Sequence, residues 1–158
     1  KLKPEIVCLV PERRQEVTTE GGLDVTGQQK RLTEVVGGFN ADGIEVSMFI
    51  DPDRKQVDAS KAVGAKYIEL HTGAYANAKG ARADEEFRRI EEAGLYAQEI
   101  GLVFNAGHGL TIRNLAPVAA IPGLHEVNIG HDIIARAIFI GLENAVHEIL
   151  DILEAYSM

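Results

Sequence analysis

The feature that most constrains this chain is an alternation between short apolar or β-branched runs and longer segments with helical spacing. The short runs predict strands at residues 6–10, 44–50, 67–71, 102–105 and 126–129. The longer segments predict helices at residues 28–39, 52–62, 84–100, 112–119 and 132–155, the last one interrupted at Gly141. This rhythm is typical of parallel strands joined by helical crossovers, and therefore of an α/β fold.

Five such units fit two architectures, an open doubly wound sheet or part of a TIM (β/α)8 barrel. A complete barrel takes about 250 residues, and this chain has 158. The first strand begins within five residues of the amino end, after Lys-Leu-Lys-Pro, which resembles the end of an earlier helix. We expect residues 1–158 to be a single domain, the C-terminal portion of a TIM barrel with only its last five βα units, and an N-terminal segment to be missing.

Charge and cysteine content exclude several classes of function. The net charge of −8 disfavours nucleic acid and anionic membrane surfaces, so an anionic substrate must be held by local donors. Cys8 is the single cysteine, which excludes a disulfide framework and a cysteine metal site. The amino end, Lys-Leu-Lys-Pro-Glu, does not have the pattern of a signal peptide, and no apolar run approaches the ~20 residues of a membrane span. We expect a cytoplasmic protein.

Polar residues occupy one face of strands that should be apolar. In residues 67–71, the period of two sets Tyr67, Glu69 and His71 opposite Ile68 and Leu70. A buried carboxylate must be paired or functional, so this face is either a satisfied polar network or an active site. Glu69 lies late in its strand, toward the end that faces the catalytic mouth of a barrel. Glu45 lies early in its strand, and we expect a structural role for it.

Two strand-to-helix turns place histidine beside glycine, within residues 105–111 and 128–134. In the first turn Gly107 and Gly109 flank His108, and in the second Gly130 precedes His131. Glycine permits close approach of a ligand to the backbone, and amides at a helix start favour an anion. The alternative is that these are only turns. Two successive turns favour a phosphate site over that alternative, because the last two loops of a barrel commonly bind phosphate.

His108 has two interpretations, as a proton donor or acceptor near neutral pH or as a structural hydrogen-bonding group. A metal held by His71, His131 and Glu69 lacks compact ligand spacing, so we expect no metal.

The loop after the first strand, residues 11–24, is long and polar for a strand-to-helix connection. Such loops are often lids, and here Thr18 and Thr19 offer hydroxyl donors, while Arg13 or Arg14 offers a phosphate partner. Gly21-Gly22 offers a hinge for such a lid. A solvated, salt-bridged loop is the alternative.

Five segments together resemble the pyridoxine 5′-phosphate synthase family. They are Cys-Leu-Val-Pro-Glu from residue 8, residues 14–24, Ile-Glu-Leu-His-Thr-Gly from residue 68, Asn-Ala-Gly-His-Gly-Leu from residue 105 and Asn-Ile-Gly-His from residue 128. The resemblance implies a (β/α)8 barrel with additional helices, an octamer and no cofactor. It also implies an enzyme of vitamin B6 biosynthesis, a transferase-class synthase that condenses 3-amino-2-oxopropyl phosphate with 1-deoxy-D-xylulose 5-phosphate. The products are pyridoxine 5′-phosphate, phosphate and water.

The same resemblance implies roles for individual residues. His108 matches the proton donor, Glu69 matches a carboxylate that stabilises the transition state, and Thr18 matches a contact to deoxyxylulose phosphate in a lid. Three further residues match family residues that contact the amino-oxopropyl phosphate, namely Gly109, Gly130 and His131.

The family's first three strands carry an Asn-x-Asp-His segment, a His-x-Arg segment and a general-base glutamate, and this chain has none of them. We therefore expect the 158 residues alone to be inactive. Two other functions remain open, another phosphosugar isomerase or aldolase on the same scaffold and a non-catalytic half-barrel that binds phosphate. A Schiff-base aldolase needs a lysine at the mouth, and Lys66 precedes its strand.

Overall fold

A computed structural model describes residues 3–11 and 21–156 and contains a five-stranded parallel sheet. The strands are β1 (Ile6–Leu9), β2 (Glu45–Ile50), β3 (Tyr67–His71), β4 (Val103–Gly107) and β5 (Leu124–Asn128). The predicted strand at 67–71 is confirmed residue for residue, and the other four differ at one or both ends.

Helices follow or separate these strands throughout the described residues. They are α1 (Gln29–Ala41), α2 (Arg54–Ala62), α3 (Gly73–Asn77), α4 (Ala81–Glu99), α5 (Leu115–Ala119), α6 (His131–Ile140) and α7 (Leu142–Tyr156). A 3-10 turn at Thr26–Gln28 leads into α1. No helix within residues 3–11 and 21–156 is long and apolar enough to cross a membrane.

The strands lie side by side in the order of the sequence, β1-β2-β3-β4-β5, and every neighbouring pair is parallel. A doubly wound sheet reverses its strand order at a switch point, and this sheet has no such reversal. The fold is therefore α/β with a parallel sheet that is compatible with part of a TIM barrel.

One face of the sheet packs against the helices and forms the core. Its residues alternate along the strands, as period two requires, and include Met48 and Ile50 of β2, Ile68 and Leu70 of β3, and Phe104 of β4. All five side chains are fully buried. Removal of this apolar surface from water is the main driving force for the fold. The opposite face is consequently left for polar side chains.

Local sequence signals explain where the helices begin and end. The Asp53 side chain accepts a hydrogen bond from the Lys55 amide at 2.7 Å and caps the start of α2. Gly64 (φ +88°) and Gly101 (φ +78°) follow α2 and α4 in the left-handed conformation that terminates helices. Both glycines lie between a helix and a strand, as the sequence predicts.

Two helical predictions need correction. The expected helix at 112–119 is confined to α5, because Asn114 accepts a hydrogen bond from the Thr111 amide at 2.7 Å and holds 111–114 as a turn. The short helix α3 was not expected, because five residues carry too little periodicity to be recognised. It packs against α4 and lies directly after β3.

Candidate active site at the carboxyl ends of the strands

Glu69 lies on the polar face of β3 and is almost completely buried. Its Oε2 accepts hydrogen bonds from Asn128 Nδ2 at 3.1 Å and from Cys8 Sγ at 3.7 Å. Burial raises the pKa of Glu69, with a smaller contribution from the negative charge of Glu126, while the Cys8 hydrogen bond and His71 oppose the rise. The side chain is thus a desolvated carboxyl group with few partners, which suits interaction with a ligand.

Gly107 makes room for this carboxyl group. A Cβ atom at Gly107 would lie 2.1 Å from Glu69 Oε1 and 3.1 Å from the backbone oxygen of Asn128. Only glycine at this end of β4 therefore lets the Glu69 side chain occupy its observed position.

We expect Gly107→Ala to displace the Glu69 carboxyl while leaving the fold intact, because the closest clash involves the end of a flexible side chain. Misplacement of a catalytic group by about 1 Å can cost up to about 100-fold in rate, so kcat should fall on this scale. Steady-state kinetics and thermal unfolding measure the two effects. Gly37→Ala in α1 is the matched control, because a Cβ atom there meets nothing within 4 Å. Unchanged kcat in Gly107→Ala would contradict this account of Glu69.

His71 ends β3 and brings a second ionisable group to the same mouth. Its Nδ1 lies 3.0 Å from Asp51 Oδ1, and its ring contacts the rings of Phe49 and His108 at centroid distances of 5.3 and 4.9 Å. Nδ1 therefore has a carboxylate partner, whereas Nε2 is buried and has no hydrogen-bond partner among the described residues.

His108 directly follows β4 and has φ +79°, a left-handed conformation unusual for a non-glycine residue. The buried Thr72 hydroxyl holds this turn, since it donates to the carbonyl oxygens of Gly107 (2.9 Å) and His108 (2.6 Å). Burial lowers the pKa of His108, and the charges of His71 and His131 lower it further. The imidazole is therefore a stronger acid when protonated, which suits proton donation to a ligand.

We expect His131→Asn to raise the pKa of His108, because the substitution removes a positive charge that disfavours protonated His108. An NMR titration of the His108 ring in both proteins measures this change. His147→Asn, on the exposed side of α7, is the control and should leave the titration unchanged. A His108 pKa that stays constant or falls in His131→Asn would contradict the electrostatic effect of His131 on His108.

The two glycine turns lie next to each other and offer backbone donors. The amides of Gly109 and Gly130 have no acceptor within the part of the chain that the structure describes. His131 begins α6, so its amide belongs to the first helical turn, which has no partner inside the helix. The Asp132 carboxylate accepts a hydrogen bond from the Ile112 amide at 3.3 Å and joins the two loops. Together these amides can bind an anion such as phosphate.

The loop predicted to be a lid is described only in part. Thr18 and Thr19, with Arg13 and Arg14, lie outside the described residues. At the end of this loop Gly22 packs directly on β2, where an added Cβ would lie 2.1 Å from the Asp51 amide nitrogen. Its own amide donates to Asp51 Oδ1 at 3.0 Å.

The structure thus brings together Glu69, His71 and His108 with the two glycine turns, as the sequence predicts for strand ends. Asp51 and Thr72 were not identified as site residues, although both directly follow a strand, which is a usable signal. Glu45 lies at the opposite end of its strand and forms an ion pair with Lys66, in line with a structural role. Within residues 3–11 and 21–156, no three His, Cys, Asp or Glu side chains are grouped to hold a metal ion.

Comparison with known proteins finds matches along almost the whole chain. A family model described as pyridoxal phosphate biosynthesis protein PdxJ matches residues 1–155. The chain is 56% identical over 149 residues to pyridoxine 5′-phosphate synthase of Coxiella burnetii and 55% identical over 149 residues to that of a Synechococcus species. Both matches cover 94% of this chain and 62% of the relative, so the chain spans less than two thirds of their length.

Two solved structures share the fold at low sequence identity. One is the Amycolatopsis orientalis BexX/CysO complex, with a TM-score of 0.57 and 17% identity over 99% of this chain and 60% of the other. The second is the YdjI aldolase of Escherichia coli K12, with a TM-score of 0.55 and 16% identity over 96% of this chain and 58% of the other. At these identities the likeness is one of fold alone.

Proposed function

The chain belongs to the pyridoxal phosphate biosynthesis protein PdxJ family, and we therefore propose that the whole protein is a pyridoxine 5′-phosphate synthase. The reaction condenses 3-amino-2-oxopropyl phosphate with 1-deoxy-D-xylulose 5-phosphate and yields pyridoxine 5′-phosphate, phosphate and water. Its steps are imine formation, proton shifts, loss of phosphate and water, and an aldol-type ring closure.

The observation that carries the proposal is the convergence of Glu69, His108 and two glycine turns at the carboxyl ends of β3, β4 and β5. Active sites of TIM barrels lie at this end of the strands. We place the five units as the last five of a (β/α)8 barrel within a single domain over residues 1–158. The sequential strand order and the contiguous core support this placement.

We assign His108 as the proton donor of the reaction. Its half-buried ring, lowered pKa and position after β4 allow it to deliver protons to leaving oxygens of the bound intermediate. The hydroxyl of Thr72 keeps the backbone of this residue in place during the proton transfers.

Glu69 is assigned to stabilise positive charge that develops on the intermediate. Because water is excluded around its carboxyl group, its interaction with a nearby cationic nitrogen is stronger than it would be in solvent. The hydrogen bond from Asn128 holds Oε2 in position for this interaction.

The phosphate of the amino ketone is assigned to the unpaired amides of Gly109 and Gly130 and the first turn of α6, at His131. The carbonyl of Gly109 receives a hydrogen bond from Asn114 Nδ2 at 3.2 Å, which keeps the first turn in a fixed orientation. Thr18 stays a prediction for the second phosphosubstrate. From the family relationship we further propose a cytoplasmic homo-octamer that uses no cofactor and binds no nucleic acid or membrane.

A phosphosugar aldolase is the competing function, and the position of Lys66 argues against its Schiff-base form. Lys66 immediately precedes β3, far from the carboxyl ends, and its ammonium group is paired with Glu45. The structural likeness to an aldolase carries only the fold.

Incubation of the full-length protein with both phosphosubstrates tests the proposal, with pyridoxine 5′-phosphate and inorganic phosphate measured together by mass spectrometry and a phosphate assay. We expect both products in equal amounts after the phosphate released in no-enzyme controls is subtracted. Borohydride trapping of a substrate on a protein lysine, without pyridoxine 5′-phosphate, would favour the aldolase. Phosphate binding without either reaction would favour the non-catalytic alternative.

A further inference from the structure

Asp51 and His71 form a hydrogen-bonded pair next to His108. Asp51 directly follows β2 and His71 ends β3, and the pairing of Ile50 with Leu70 sets the two side chains next to each other. Asp51 Oδ1 lies 3.0 Å from His71 Nδ1. The hydrogen bond with His71 is the largest cause that lowers the pKa of Asp51, so the carboxylate is ionised and can only accept.

This pairing determines which nitrogen of neutral His71 carries the proton. Because ionised Asp51 is an acceptor, the hydrogen must reside on His71 Nδ1. The other nitrogen, Nε2, then carries a lone pair. Nε2 is buried and meets no hydrogen-bond partner among the described residues, which is a costly arrangement for an acceptor.

The unpaired Nε2 atom of His71 and the ring of His108 lie next to the same small space. The position that a Cβ atom of Gly73 would occupy lies 2.7 Å from His71 Nε2 and 3.1 Å from His108 Cδ2. The absence of a side chain at Gly73 therefore lets the two rings approach to a centroid distance of 4.9 Å. Phe49 packs against the edge of His71 on another side and restricts its rotation.

We propose that Asp51 and His71 are positioning residues for His108, in which Asp51 fixes the Nδ1–H tautomer and orientation of the His71 ring, and this ring packs against the His108 ring and orients it. This inference rests on the proposed role of His108 as proton donor. Asp51 Oδ1 also accepts a hydrogen bond from the Gly22 amide at 3.0 Å, so one carboxylate oxygen connects the end of the first loop with His71. His71 and Asp51 themselves transfer no proton to substrate in this scheme.

The tautomer can be tested without any activity measurement. The ring ¹⁵N shifts of His71 in the wild-type protein should report the Nδ1–H form, with Nε2 unprotonated, at a pH where the ring is neutral. In Asp51→Asn the amide can donate to Nδ1, so the spectrum should move toward the Nε2–H form. A wild-type His71 in the Nε2–H form would overturn the proposal, even if no variant folds.

Kinetics of the full-length enzyme test the consequence for His108. Asp51→Asn and His71→Asn should each lower kcat by up to about 100-fold, the loss that misplacement of a catalytic group by about 1 Å can cause, with KM nearly unchanged. The double variant should be no slower than the slower single variant, because both act through one unit. Asp51→Glu, which retains a carboxylate, should recover part of kcat and of the Nδ1–H signal.

The matched control is Asp42→Asn, an exposed aspartate at the opposite end of β2, which should change neither kcat nor the spectrum. Wild-type kcat in Asp51→Asn, or a kcat loss without a change in the His71 tautomer, would refute the inference. If the wild-type enzyme itself forms no pyridoxine 5′-phosphate, the proposed function fails, and the tautomer measurement still decides whether Asp51 sets the state of His71.

Discussion

Replacement of His108 by asparagine should lower kcat of the full-length enzyme by about 100- to 10,000-fold, the usual contribution of a general acid, and change KM far less. The ring is the proton donor in this account, whereas the substrate phosphates are held by backbone amides. Asparagine suits this test because it tolerates the left-handed conformation, φ +79°, that residue 108 adopts. Steady-state kinetics with each phosphosubstrate varied in turn separates kcat from KM.

His147→Asn is the matched control for this experiment, because the same substitution is made at an exposed histidine of α7. It should retain wild-type kcat and KM. A His108→Asn enzyme with normal kcat and a much higher KM would show that the ring binds substrate rather than supplies protons.

Replacement of Glu69 by glutamine should reduce kcat by about 100- to 1,000-fold, the loss typical of a preorganised group that stabilises charge in the transition state. Glutamine has nearly the same shape and can still accept the hydrogen bond from Asn128. The lost negative charge is therefore the main difference between the two proteins.

The same variant should be at least as stable as the wild type at neutral pH. Burial raises the pKa of Glu69 above its ordinary 4.5, so the folded protein holds this proton more tightly than the unfolded chain does. The contribution of Glu69 to stability is then greatest below pH 4.5 and is lost as the pH rises through the folded-state pKa. Thermal unfolding at acidic and neutral pH should show that the stability of Glu69→Gln, relative to that of the wild type, increases with pH.

Glu34→Gln, on the exposed surface of α1, is the control for both measurements and should follow the wild type. Loss of activity together with a large loss of neutral-pH stability in Glu69→Gln would contradict the assignment. Such a result would mean that the carboxyl group stabilises the folded protein rather than the transition state of the reaction.

Much of the fold follows from patterns that are local in sequence. The alternation in β3 predicts both its bounds and the shared face of Glu69 and His71, because period two is a property of the strand itself. Glycines before the strands predict where helices end, since few other residues adopt their conformation. The same reasoning places His108 at a strand end, where the structure has it.

The contacts that organise the site are not local, and the sequence did not reveal them. Asp51 and His71 are 20 residues apart in the chain, and their hydrogen bond depends on the register between β2 and β3. The space that Gly107 leaves for Glu69 depends on the adjacent strand β4 in the same way. Period two fixes the face on which each side chain lies, but a shift of two residues between neighbouring strands keeps that face. The pair next to His108 therefore emerged only from the structure.

We propose above all that Glu69, His108 and the two glycine turns form the proton-donating and phosphate-binding side of a synthase site. A crystal structure of the full-length protein with bound 3-amino-2-oxopropyl phosphate tests it most directly. We expect the phosphate group within hydrogen-bonding distance of the Gly109 and Gly130 amides, with the amino ketone carbons beside Glu69 and His108. A phosphate bound elsewhere, with Glu69 and His108 away from the ligand, would contradict it.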